Sequence, residues 1–199
     1  MSNANNTDIQ IPLKGIYYRL PNNWYRFLNV KDYENKQLNY LEIGTFYGAN
    51  IIYYAYTYGK HPETKLYCID PYEDYDDYNE YKNKQNEHYL TFLENVKNNN
   101  LTDKIILKKG YSNIEIPKFD DDFFDFIYID GNHEPEFVLE DAVLSFRKLK
   151  IGGIMIFDDY FWDGLNGPKK GIDAFLNVYS SRIEFIGFQD HQMFIKKIK

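Results

Sequence analysis

From residue 38 onward, short apolar runs alternate with longer segments of helical character. Leu38–Ile43, Lys65–Ile69, Lys104–Lys108, Phe124–Ile129 and Ile154–Phe157 read as strands. Asn50–Tyr58, Tyr81–Asn98, Pro135–Leu149 and Lys170–Tyr179 read as helices. Pro135 suits a first helical position, and Val138, Ala142, Val143, Phe146 and Leu149 make an apolar stripe along that helix. Gly152-Gly153 is read as its stop. Arg182–Phe188 and Gln192–Lys196 close the chain as a hairpin turning near Gln189-Asp190. Strands that alternate with helices imply a parallel sheet covered on both faces. Ligands of such sheets bind beyond the carboxyl ends of the strands. Those places are Gly44–Gly48, Asp70, Gly110–Ser112, Asp130–His133 and Asp158-Asp159, rich in glycines and carboxylates.

The rest of the chain narrows the classes of partner. Its 199 residues suit one domain with a sizeable core. The formal net charge of −7, with only short lysine runs, argues against a phosphate-tracking surface, so no nucleic acid partner is expected. With one cysteine, Cys68, the chain cannot build an internal disulfide, and the thiol lies in an apolar run where it reads as buried and inert. Residues 1–10 are polar and read as a disordered leader with no signal segment, and no stretch is apolar enough to span a membrane. A cytoplasmic protein is expected, with self-association left open. Residues 11–37 are read as a helical cap ahead of a domain at 38–199.

Gly44 and Gly48 let the first strand turn sharply into its helix and bring backbone close to a ligand. The same pair also suits a plain tight turn. Phe46 speaks against a dinucleotide fingerprint, because its bulk would crowd a pyrophosphate. Asp70, which follows Gly44 at about the spacing of a ribose-binding acid, is equally compatible with a turn before Pro71. The run Glu42-x-Gly44-Thr45-x-x-Gly48 resembles motif I of the class I methyltransferases that use S-adenosylmethionine (SAM). More narrowly, Leu41–Gly48 is similar to the macrocin-type sugar O-methyltransferases and cephalosporin-hydroxylase-like proteins. The resemblance covers roughly residues 38–198. It implies the α/β, Rossmann-like methyltransferase fold: a seven-stranded, mostly parallel sheet with an antiparallel C-terminal strand and helices on both faces. It also implies SAM as cofactor, with Gly44, Thr45 and Gly48 lining its methionine half. Glu42 would hold the loop or the methionine amino group, Asp70 the ribose, and Tyr111 and Ser112 would flank the adenine.

Asp130 ends the fourth strand and Asp158-Asp159 ends the fifth. Neighbouring strands lie about 4.8 Å apart, so these carboxylates would meet and repel unless a cation offsets them. Mg²⁺ or Ca²⁺ would favour such oxygen donors. A hydroxyl acceptor is a weak acid; a metal would stabilise its alkoxide, and His133 would take the proton as general base. The stretch Ile129-Asp130-Gly131-x-His133 with the later Asp158-Asp159 is similar to metal-dependent sugar O-methyltransferases. That likeness assigns Asp130, Asp158 and Asp159 to Mg²⁺, and His133 with Asp130 to catalysis.

The expected acceptor is a sugar or other small polyol. Tyr17–Phe27, with Trp24 and Tyr25, and Tyr160–Pro168, with Phe161 and Trp162, are read as aromatic cover for it, equally suited to a flat phenol. Tyr72–Tyr81 is read as a solvated loop rather than a lid over SAM. The competing readings are a metal-independent methyltransferase, a non-catalytic partner protein on this fold, and a nicotinamide oxidoreductase.

Overall fold

A computed structural model describes residues 11–15, 24–74, 81–161 and 167–199. The proposed leader at 1–10, most of Tyr17–Phe27, and residues 75–80 and 162–166 lie outside the described residues.

Seven strands form one sheet: β1 (Asn39–Ile43), β2 (Lys65–Ile69), β3 (Ile105–Lys108), β4 (Phe124–Ile129), β5 (Leu149–Phe157), β6 (Ile183–Gln189) and β7 (Gln192–Lys197). Their order is β3-β2-β1-β4-β5-β7-β6. β1 to β5 run parallel, and β7 enters antiparallel between β5 and β6. This is the expected Rossmann-like arrangement. The β6–β7 turn falls at Asp190-His191, both with positive φ (49° and 67°), as a two-residue hairpin of matching twist requires.

Among the described residues, α1 (Ala49–Tyr56), α2 (Gln85–Asn98), α4 (Pro135–Lys148) and α5 (Gly167–Tyr179) pack on the sheet, and the short α3 (Ser112–Glu115) lies against α4. Side chains alternate along each central strand, so each strand feeds two cores. One core joins Tyr40, Cys68, Phe126, Tyr128 and Ile156 to α1, α2 and Trp24. The other joins Leu41, Ile43, Ile127, Ile129 and Phe157 to α4 and α5. Strands buried on both faces explain why the runs are mostly apolar rather than strictly alternating. Cys68 is fully buried, and burial pushes its thiol pKa well up.

Two details depart from expectation. Helix α4 stops at Lys148, before the glycines, and the chain passes directly into β5 with Leu149 already extended (φ −78°, ψ 132°). The Lys197 ammonium terminates the helix by donating to the Phe146 and Leu149 carbonyls, at 3.1 and 2.6 Å. Gly152-Gly153 lie in the irregular stretch of β5 where register with β4 shifts. The described part of the expected helical cap holds two 3₁₀ turns, Trp24–Arg26 and Val30–Asp32. Residues 12–14 strap onto α2, where Asn95 and Asn99 bond the Lys14 and Pro12 backbone. Among the described residues no helix is long and apolar enough to cross a membrane.

The first core is dense in aromatic rings. Tyr54 stacks on Tyr40 at 4.1 Å between centroids and is fully buried, yet among the described residues its hydroxyl has no hydrogen-bond partner. Burying an unpaired hydroxyl costs about 1–3 kcal/mol. Tyr54→Phe should therefore stabilise the fold by about 1 kcal/mol, seen as a higher urea midpoint at unchanged slope. A lower midpoint would mean that the hydroxyl does find a partner in solution.

Candidate active site

The carboxyl ends of β1, β2, β4 and β5 meet at one edge of the sheet. The Gly44 amide donates to the Ile69 carbonyl at 2.9 Å, Asp130 to Ile43 at 2.9 Å, and Asp158 to Ile129 at 3.0 Å. The loop between β1 and α1 turns through Gly44 (φ 77°), Phe46 (φ 46°) and Gly48 (φ 80°). A Cβ on Gly44 would lie 1.9 Å from the Asp130 carbonyl oxygen, so the two strand ends touch backbone to backbone there.

Two carboxylates hold this loop from beneath. Asp70 accepts the Thr45 and Phe46 amides on one oxygen, at 3.0 and 3.1 Å, and the Tyr72 amide on the other, at 2.9 Å. A carboxylate offers about four acceptor directions, so three are committed to backbone. Glu42 is buried and accepts from the Thr45 hydroxyl (2.7 Å), the Tyr40 hydroxyl (2.8 Å) and the Asn50 amide (2.7 Å). Burial outweighs these donors and raises its pKa from 4.5 to about 7. A carboxyl raised in the folded state disfavours folding once ionised, so stability is highest below its ordinary pKa and falls as pH rises toward 7. The contribution is about 3 kcal/mol. Urea melts at low and at neutral pH should therefore show Glu42→Gln gaining about 3 kcal/mol on the native protein as pH rises. Parallel pH dependences for the two proteins would remove Glu42 as the source.

At the β4 and β5 ends, Asp130, His133 and Asp159 each present one ligand atom, all within 4.8 Å of one another. His133 Nε2 is 3.3 Å from Asp159 and 3.9 Å from Asp130. Burial and the charges of Asp158, Asp159, Glu42 and Asp70 push the Asp130 pKa well above the usual carboxylate range. Asp159 holds a positive φ of 55°, uncommon for a residue with a side chain.

Asp158 behaves differently from the sequence expectation. It faces the core, where it accepts from the Tyr128 hydroxyl and from Gln192 Nε2 at 3.3 Å, while its other oxygen accepts the Asp159 amide at 2.9 Å. The convergent set is thus Asp130, His133 and Asp159. Tyr111 is exposed and donates to Glu73 at 2.7 Å, and Ser112 hydrogen-bonds Asp141, a buried α4 carboxyl whose pKa burial raises to about 7. Trp24 lines no acceptor pocket: it is fully buried and donates to Gln192 Oε1 at 2.9 Å. Tyr160, Phe161 and Phe188 do cluster beside Asp159, with ring centroids 4.8–5.6 Å apart. Sequence reasoning missed Tyr40, Asn50, Tyr128, Asp141 and Gln192. The one available signal was a polar Gln192 opening an apolar strand.

A family model described as a methyltransferase domain matches residues 41–160, which include the glycine loop and all three convergent residues. The chain belongs to this methyltransferase family. No curated protein matches the methyltransferase chain significantly. Solved structures do. An O-methyltransferase from Bacillus cereus in complex with S-adenosylhomocysteine (SAH) matches with TM-score 0.58 and 19% identity, over 81% of this chain and 74% of that one. A structure described as a putative rRNA-methylase from Clostridium thermocellum matches with TM-score 0.63 and 16% identity, over 85% and 92%. The MycE methyltransferase of the mycinamycin biosynthetic pathway, in complex with Mg and SAH, matches with TM-score 0.55 and 16% identity, over 89% and 49%. At these identities the likeness is one of fold.

Proposed function

We propose that this methyltransferase transfers the methyl group of SAM to a hydroxyl of a sugar or other small polyol, assisted by a divalent metal. The observation that carries this reading is the convergence of Asp130, His133 and Asp159 beside the glycine loop. Burial, together with the charges of Asp158, Asp159, Glu42 and Asp70, raises the pKa of Asp130, and a hard cation would relieve the crowding of these carboxylates. Asp130 and Asp159 are the proposed ligands. A metal held there would supply a Lewis acid for the acceptor oxygen. His133, in contact with Asp159, would take the hydroxyl proton at Nε2. Asp158 is better placed to orient Asp159 than to bind metal.

For the cofactor, Gly44, Thr45 and Gly48 would receive the methionine end, and Glu42 would act by fixing Thr45 and Asn50. Asp70 retains about one acceptor direction for a ribose hydroxyl. Tyr111 and Ser112 would border the adenine. The dense carboxylate edge and the net charge of −7 favour a small acceptor over nucleic acid. The exposed ring of Phe161 would meet the acceptor.

Two calorimetric titrations test the reading. SAH should bind in the micromolar range, and Mn²⁺ should bind the native protein at least tenfold more tightly than Asp130→Ala. A folded protein that ignores SAH would end the cofactor assignment. Equal Mn²⁺ affinities would remove Asp130 from the ligand set and favour metal-independent transfer.

A further inference from the structure

The proposed ligand Asp159 is tied to Trp24, in the first core, by an unbroken chain of hydrogen bonds. Trp24 Nε1 donates to Gln192 Oε1 at 2.9 Å. Gln192 Nε2 donates to the Tyr128 hydroxyl at 3.0 Å and to Asp158 Oδ2 at 3.3 Å. The Tyr128 hydroxyl donates to the same Asp158 oxygen. Asp158 Oδ1 accepts the backbone amide of Asp159 at 2.9 Å. Trp24, Gln192 and Tyr128 are all buried.

The direction of this chain follows from its first member. An indole nitrogen can only donate, whereas a glutamine amide presents an acceptor on one side and donors on the other. Trp24 therefore fixes which end of Gln192 faces it, and the NH₂ end must point to Tyr128 and Asp158. Were the amide reversed, two N–H donors would oppose each other at Trp24 and a carbonyl would face a carboxylate. Asp158 in turn receives two side-chain donors on one oxygen and keeps the other for the Asp159 amide. That bond sits at the residue with φ 55°, a backbone conformation that needs surrounding support.

We propose that Trp24 and Gln192 are positioning residues for this methyltransferase site: the N-terminal segment, through the Gln192 amide, sets Asp158, and Asp158 sets the backbone from which Asp159 reaches Asp130 and His133. This rests on the metal reading only for its consequence at the metal; the chain of bonds is independent of it. Residues outside the first layer of ligands commonly change metal affinity by about 10–100-fold.

The test uses Gln192→Met, which keeps the volume and removes both polar ends, with Trp24→Phe as a second variant that keeps a ring and removes the donor. Two-dimensional NMR of the metal-free proteins follows the Asp159 backbone amide, and calorimetry follows Mn²⁺. The positioning role predicts a displaced Asp159 amide resonance in both variants and Mn²⁺ affinity at least tenfold weaker, with native-like dispersion elsewhere. A purely structural role would lower the melting temperature and leave the Asp159 resonance where it was; that result overturns the proposal. If native protein binds no Mn²⁺, the metal reading fails, and the Asp159 resonance alone still decides the positioning role.

Discussion

Gly44→Ala is expected to cost more than about 4 kcal/mol of stability, a size reserved for substitutions with a specific steric cause. The new methyl would sit 1.9 Å from the Asp130 carbonyl oxygen and 2.7 Å from its carbonyl carbon, both backbone atoms of the neighbouring strand end. The same residue holds φ at +77°, so the side chain is disfavoured even before it meets anything. Neither strand can retreat easily: β1 and β4 are central, and the Asp130 amide is bonded to Ile43 at 2.9 Å. Domains of this size keep only about 5–15 kcal/mol in total, so a large unfolded fraction should appear without denaturant. Gly48→Ala is the control. Its φ is +80°, but the nearest obstacle, at 2.9 Å, is the Phe92 ring, a side chain that can give way. Urea titrations followed by circular dichroism should rank Gly44→Ala well below Gly48→Ala. Equal losses would mean that the loop can slide off Asp130, and the rigid juxtaposition of cofactor loop and carboxylate edge would have to be abandoned.

The sequence made the strand ends legible because β1, β2, β4 and the end of β5 are buried on both faces and read as mostly apolar runs, with Glu42 in β1 and Asp125 in β4 as interior exceptions. Parallel topology then gathers Gly44, Asp70, Asp130 and Asp159 at one edge without any knowledge of side-chain packing. What it could not resolve was which of two adjacent aspartates faces the site. Asp158 is drawn inward by Gln192, 34 residues away, and Gln192 is oriented by Trp24, 168 residues before it. Such long-range contacts leave no periodic trace. Trp24 was misplaced for a related reason: in a chain with 19% aromatic residues, a ring in a core and a ring at a pocket look alike. The Glu42 network shows the opposite case. Its residue was identified, but its three bonds run to Tyr40, Thr45 and Asn50 rather than outward.

His133→Ala should lower turnover about 10²–10⁴-fold, the usual contribution of a positioned general base, equivalent to roughly 3–5 kcal/mol of barrier. The geometry that argues for it is the contact between Nε2 and Asp159 at 3.3 Å, with Asp130 further off at 3.9 Å. An imidazole so placed can act as the base or serve as a third ligand, and the two roles separate cleanly in measurement. As the base, its loss lowers kcat while SAH and Mn²⁺ dissociation constants stay within a factor of two or so, since oxygen donors from Asp130 and Asp159 satisfy a hard cation. As a ligand, its loss weakens Mn²⁺ at least tenfold, and turnover recovers at high metal concentration. SAH affinity should be unaffected in either case, because the loop that would receive the cofactor is held by Asp70 and Glu42, not by His133. Full turnover in His133→Ala would end the general-base assignment and pass the hydroxyl proton to another acceptor, the neighbouring Asp159 carboxylate or solvent.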